Sequence, residues 1–204
     1  EMCIRDRLYV AWSVAESQGV PADAARLFGP LSPELNGALM RVFGATMSPI
    51  LIANLLVLLI AALCVWSIGR TLFRSAVTGQ LAFATFLLLS GFSQFYRFSS
   101  FNFLTPYSHG ITHGTTLGLL MVAVLVVPRT LTLRILRSYS AGLLCGLAML
   151  TKPEIGLAAA MTLGFAAYVP ARESEGAAPS KFWAAAGVGT VVLTAVLCLG
   201  RSSG

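Results

Sequence analysis

Hydrophobic positions in this chain fall in long uncharged runs divided by short polar interruptions, the pattern of helices that cross a membrane. Residues 47–68 form a run without a charge; at 1.5 Å per residue, a helix of that length spans a hydrocarbon core of roughly 30 Å. A basic turn over residues 69–75 carries Arg70 and Arg74, and residues 76–95 form a second uncharged run. After a polar stretch a third span is predicted from about Gly110 to Val127, stopped by Pro128. Residues 139–150 and 155–169 are apolar on either side of Thr151-Lys152-Pro153-Glu154, and a charged loop over 171–181 precedes a last run over 182–200. The predicted fold class is all-α: a polytopic transmembrane helix bundle with about six spans or half-spans.

Residues 8–46 read differently. They are mixed in polarity, with turn signals at Gly19-Val20-Pro21 and at Gly29-Pro30-Leu31-Ser32-Pro33. Ser32 as N-cap and Pro33 at the first helical position predict a short helix to about Phe43. Its apolar positions Leu35, Leu39, Val42 and Phe43 share one face, as in a helix lying along a membrane surface or packed on a membrane domain. Residues 1–7, EMCIRDR, resemble the translation of a transposon-end sequencing adapter and are set aside as non-native. The chain is then expected to be a piece of a longer protein: a juxtamembrane segment over 8–46, followed by a transmembrane domain over 47–204 that stops inside a helix.

Composition sharpens the class. Hydrophobic residues make up 56% of the chain and charged residues 11%, with a mean hydropathy of +0.80; a soluble domain carries roughly 25% charged residues. The net charge of +6 comes from scattered Lys and Arg, which excludes the clustered basic patch of a nucleic-acid binder. Turns 69–75, 128–137 and 171–181 hold seven Lys and Arg between them, whereas 96–108 and 151–154 hold one each. The positive-inside bias therefore puts residues 8–46, 96–113 and 151–154 on the extracytoplasmic side. No Asp or Glu occurs between Glu34 and Glu154, so few carboxylates are at hand for acid–base chemistry. Cys64, Cys145 and Cys198 lie inside apolar runs and read as small hydrophobes.

The longest polar interruption, NFLTPYSHGITHG over residues 102–114, holds both histidines of the chain, His109 and His113. Pro106 bars regular structure through Thr105, and Ser108 is placed to cap the third span, so the histidines fall at i and i+4 on its first turns. A helix N-terminus of this kind suits an anion such as phosphate. Such a pair can also ligate a divalent metal, although Gly110 stands where the helical zinc-protease pattern needs Glu; a packing role is the plain alternative. Gly110, Gly114 and Gly118, like Gly142 and Gly146, recur every four residues and predict close helix packing. If the following helix starts at Ser138 it is too short to cross, which leaves Lys152 below the outer surface, where ionisable groups are costly and usually functional. If it starts at Leu131, Lys152 lies at the interface. Arg97 sits among Phe92, Phe95, Tyr96, Phe98, Phe101, Phe103 and Tyr107, an interfacial belt or a sugar-stacking platform.

Several strings together resemble a known group of enzymes. They are Leu27-Phe28-Gly29-Pro30-Leu31-Ser32-Pro33, Leu35-Asn36, Arg41-Val42-Phe43-Gly44, Thr105-Pro106-Tyr107-Ser108-His109 with His113-Gly114, and Gly146-Leu147-Ala148-Met149-Leu150-Thr151-Lys152-Pro153-Glu154. Their order and spacing over about residues 8–170 are similar to bacterial multi-spanning glycosyltransferases of the GT-C superfamily, in the branch of protein mannosyltransferases and the lipid A aminoarabinose transferase. The resemblance implies transfer of a sugar from a polyprenyl-phosphate donor to a glycan, lipid or protein acceptor outside the inner membrane. It also implies an acidic base on the acceptor and cations on the leaving phosphate.

By the same resemblance Asp23, after Gly19 and Pro21, matches the family's second acid and is the carried-over catalytic candidate, helping to position the acceptor or acting as a secondary acid. Lys152 is the phosphate contact, and Glu154, His109, His113, Tyr107 and Arg97 line the substrate site. No resident cofactor is implied. The family's principal acid would lie just before Leu8, where the adapter-like residues stand, so the chain as written is expected to be inactive. A transporter or lipid flippase with a broken-helix site at Thr151–Glu154 is the competing expectation.

Overall fold

The computed structural model describes residues 2–16, 29–91, 103–104, 108–126 and 134–173. Among them the chain is wholly helical: α1 (Met2–Ala15), α2 (Leu31–Phe43), α3 (Met47–Phe73), α4 (Ala76–Phe86) with a π-helical turn (Leu87–Gly91), α5 (His109–Val126), α6 (Arg134–Thr151) and α7 (Pro153–Glu173). Two of these, α3 and α5, are long and apolar enough to cross a membrane; Ala76–Gly91 and Pro153–Ala166 are shorter apolar stretches.

The apolar run that begins α3 continues through Arg70 to Phe73, further than a helix stopped at the first charge. Arg70 continues the helix with its side chain laid back along the helix surface, the guanidinium carbon 5.3 Å from the centre of the Trp66 ring. The turn comes at Arg74, held in the left-handed region at φ 50°, and at Ser75, whose hydroxyl accepts from the Thr78 amide to cap α4. Helix α2 spans the predicted segment, yet Ser32 is not its cap: Pro30 precedes the helix and Ser32 lies inside it, buried.

The faces of α2 are reversed from those of a soluble helix. Ser32, Asn36, Gly37 and Met40 point inward, while Leu35, Val42 and Phe43 are exposed. Small inward residues let the backbone come close: a Cβ on Gly37 would meet the Val14 side chain of α1. Glu34 and Arg41 are exposed beside Leu35, Val42 and Phe43, so the outer side mixes apolar and charged groups, as in a helix at a membrane surface. Arg41 donates to the carbonyls of Val14 and Ala15, satisfying the end of α1 with a cation placed where the helix dipole prefers one. Helix α1 is continuous across Leu8.

The main core joins α5, α6 and α7 through Met121, Ala141, Cys145, Ala148, Ala159 and Leu163. Helices α6 and α7 are separated by Lys152 alone, and α7 folds back on α6, since a Cβ on Gly156 would overlap Met149. A second cluster, Leu58 and Ala61 with Phe103, binds α3 to the segment leading into α5. Phe103, expected in an interfacial belt, is instead buried there, edge-on to Phe86 at 5.6 Å.

Candidate functional site: a polar junction at the α6–α7 corner

Buried polar groups are costly unless paired, and in this apolar chain many of them gather at one place. Helix α6 ends at Thr151, which is fully buried, with its hydroxyl donating to the Ala148 carbonyl at 2.7 Å. The Lys152 amide closes α6 on Ala148, and the Lys152 carbonyl accepts from Ile155 and Gly156 to open α7. Pro153 takes the first position of α7, where the missing N–H costs nothing. These local choices leave a one-residue corner with Lys152 at its apex.

Two further elements converge on that corner. The Gly29 amide donates to the Thr151 carbonyl at 3.1 Å, tying the start of α2 to the end of α6. Gly110 and Gly114 of α5 face the same residue: a Cβ would come 3.0 Å from the Thr151 carbonyl oxygen at Gly110 and 2.4 Å from the Thr151 hydroxyl at Gly114. Gly118 has nothing within 4 Å of a built Cβ, so the expected glycine packing face stops after two members. Close approach at Gly110 and Gly114 makes Thr151 the link between the histidine-bearing helix and the lysine-bearing corner.

His109 and His113 are neighbours on α5, with ring centres 6.1 Å apart. His113 is buried, and a 3.1 Å hydrogen bond joins its Nδ1 to Ser32 Oγ of α2. The side-chain amide of Asn54, itself buried in α3, donates to the Leu104 carbonyl at 3.0 Å and lies 3.5 Å from His109 Nε2. Helix α5 begins directly after Ser108, whose carbonyl accepts from Ile111 and Thr112. The Ser108 side chain does not cap; its hydroxyl is buried without a hydrogen-bond partner among the described residues. Thr112 and Thr116 return their hydroxyls to the carbonyls of His109 and Thr112 within the helix.

The charges stand at the edge of this junction. Lys152 keeps 23% of its side chain exposed, with Nζ 4.0 Å from a carboxylate oxygen of Glu154, which is 73% exposed. At that distance in a wet setting the pair is worth at most about 1 kcal/mol, so the ammonium is held weakly and can exchange partners. No group of three or more potential metal ligands occurs among the described residues.

Of the residues expected to form the site, His109, His113, Lys152 and Glu154 are brought to one end of the helix bundle. Asp23, Arg97 and Tyr107 lie outside the described residues. Two members escaped the reading of the sequence. Ser32 is separated from His113 by 81 positions, and no local signal announces such a pair. Asn54 did carry one, as a lone amide in the most apolar run of the chain. Compared with known protein families, curated proteins and solved structures, the chain matches none.

Proposed function

We propose that this chain is the membrane domain of a GT-C-like glycosyltransferase that moves a sugar from a polyprenyl-phosphate donor to an extracytoplasmic acceptor. The observation that carries the reading is the position of Lys152. It sits at the apex of a helix corner, partly exposed and loosely paired, above a buried polar junction built from α2, α3, α5 and α6. A lysine there offers a compact, mobile positive charge to a lipid-linked phosphate.

In the proposed reaction the acceptor oxygen bonds to the anomeric carbon as the bond from that carbon to the carrier phosphate breaks. A carboxylate takes the acceptor proton, and Lys152 meets the charge that grows on the leaving phosphate. Asp23 helps to position the acceptor or acts as a secondary acid, with Glu154 on the acceptor side of the corner. His109 and His113 hold α5 against α2 and α3 and so fix the floor under Lys152. Arg97 and Tyr107 complete the substrate contacts. The reading places about six spans or half-spans in a bacterial inner membrane, with the α6–α7 corner facing out. The exposed Leu35, Val42 and Phe43 of α2, beside Glu34 and Arg41, support its lying along that membrane's surface.

A transporter or flippase would use the same interruption as a midplane binding site, with the helix continuing across the bilayer on both sides of the break. The reversal at Lys152, which brings Gly156 onto Met149, favours the hairpin of an enzyme whose site lies near one surface. The test is Lys152→Met in the full-length protein reconstituted with polyprenyl-phosphate sugar and acceptor. Turnover should fall about 100-fold or more, with the melting temperature unchanged. Wild-type turnover in the folded variant would remove Lys152 from the phosphate. Donor flux across proteoliposomes without acceptor would move the assignment to the flippase.

A further inference from the structure

The α3–α4 turn, remote in sequence from the polar corner, carries a patch that the proposed reaction does not use. Trp66 and Arg70 stand at four-residue spacing on one face of the last turns of α3, and Arg74 follows in the turn directly after the helix. Arg70 and Arg74 are exposed, and Arg70 lies over the Trp66 ring at 5.3 Å. Neither α3 nor α4 contains an Asp or Glu, so their charges are not answered from within the hairpin. Leu72, Phe73 and Val77 beside them are 61%, 68% and 63% exposed.

Two further features show that the patch is built. A Cβ on Gly79 would stand 3.0 Å from both the Arg70 Cβ and the Trp66 carbonyl oxygen, so α4 presses its backbone directly beneath this pair and sets its position. Arg74 occupies the left-handed region at φ 50°, a conformation that costs an L-residue roughly 1–2 kcal/mol and that glycine takes freely at helix ends. Compensation of the helix dipole does not require this, since Arg70 already lies in the last turn of α3. An arginine kept where glycine would be cheaper points to use of its charge.

We propose that the α3–α4 turn docks on the anionic headgroup layer of a phospholipid leaflet. Arg70 and Arg74 take lipid phosphates, Leu72, Phe73 and Val77 lie beside them at the headgroup boundary, and Trp66, nearly two turns deeper along α3, meets the outermost acyl chains. Charge complementarity selects this occupant, since two arginines that have no acidic partner among the described residues, beside exposed apolar side chains, match an anionic, amphipathic surface. The inference depends on α3 crossing the membrane and is independent of the sugar-transfer reaction.

The test uses the full chain purified in detergent, with native mass spectrometry of bound phosphatidylglycerol and phosphatidylcholine at low and high salt and inorganic phosphate as competitor. Phosphatidylglycerol is expected to be preferred, less so as salt rises, and inorganic phosphate should not displace it. The preference should drop roughly 30-fold in R70Q/R74Q and roughly fivefold in R74G, at about 1 kcal/mol for each basic residue. R74G relieves the backbone strain and therefore folds even if the double variant does not. Equal binding of the two lipids, an unchanged preference in folded R74G, or displacement by inorganic phosphate would each overturn the proposal.

Discussion

The α3–α4 and α6–α7 corners solve the same problem with different materials. Between α3 and α4 the chain reverses through Arg74 and Ser75, and the helices meet through glycine: Gly69 faces Ala82 and Gly79, while Gly79 meets Trp66 and Arg70. Between α6 and α7 it reverses through Lys152, and Met149 and Ile155 pack there beside polar groups: the buried Thr151, bonded by the Gly29 amide and faced by Gly110 and Gly114 of α5, the helix whose His113 bonds Ser32. Dispersion and close backbone contact suffice for the first corner. The second carries desolvation costs that only its hydrogen bonds offset. An apolar chain that maintains such a junction at one end of its bundle is spending stability there, which is the physical reason to look for function at that end.

The comparison breaks most sharply at Gly29. A Cβ there would lie 1.9 Å from the Leu150 carbonyl oxygen, against backbone that cannot swing aside. Gly29→Ala should cost about 3 kcal/mol, the upper end for overpacking. It should also detach α2 from the corner, with the loss read from thermal unfolding in detergent. A wild-type melting temperature would mean that α2 is not seated on Thr151.

The Ser32–His113 contact comes next in size. Ser32→Ala leaves a buried imidazole nitrogen without its partner, a cost of roughly 1–3 kcal/mol. Replacing both residues, with His113→Leu, should recover part of that cost, because no stranded polar group remains. A double-mutant cycle with a coupling of at least about 0.5 kcal/mol is expected for residues in contact; additive effects would show that the bond does not hold α2 to α5.

Much of this architecture was legible in the sequence because its signals are local. The uncharged run into α3, the start of α5 after Ser108, the i, i+4 histidines and the break before Pro153 each depend on a few neighbouring residues. What escaped depended on partners far along the chain or on side-chain reach. Ser32 had the chemistry of a cap, yet tertiary packing turned it toward His113. Arg70 looked like the end of a span, although a long side chain over Trp66 lets the helix run on. Of the two expected starts for the helix before Lys152, Ser138 lies inside α6, which is already helical at Arg134, and Leu131 lies outside the described residues. The glycine repeat in α5 indicated close packing without revealing which members touch, and Gly118 does not.

The smallest effects concern the glycines of the apolar corner, where neighbouring positions should differ in sign. Alanine in a helix interior is favoured over glycine by roughly 0.5–1 kcal/mol, so the contact made by the new methyl decides the outcome. At Gly69 the nearest atom would be the Ala82 Cβ at 3.4 Å, ordinary contact; Gly69→Ala should stabilise by up to about 1 kcal/mol. At Gly79 the methyl would meet the Trp66 carbonyl oxygen and the Arg70 Cβ at 3.0 Å. One is backbone and the other the root of a side chain, so the helices must part by a few tenths of an ångström and the propensity gain is lost. Gly79→Ala should therefore destabilise by about 1 kcal/mol. Paired thermal melts of the two variants test this directly. A gain in both would show that α3 and α4 are free to slide, and that close backbone contact is not what holds the apolar corner together.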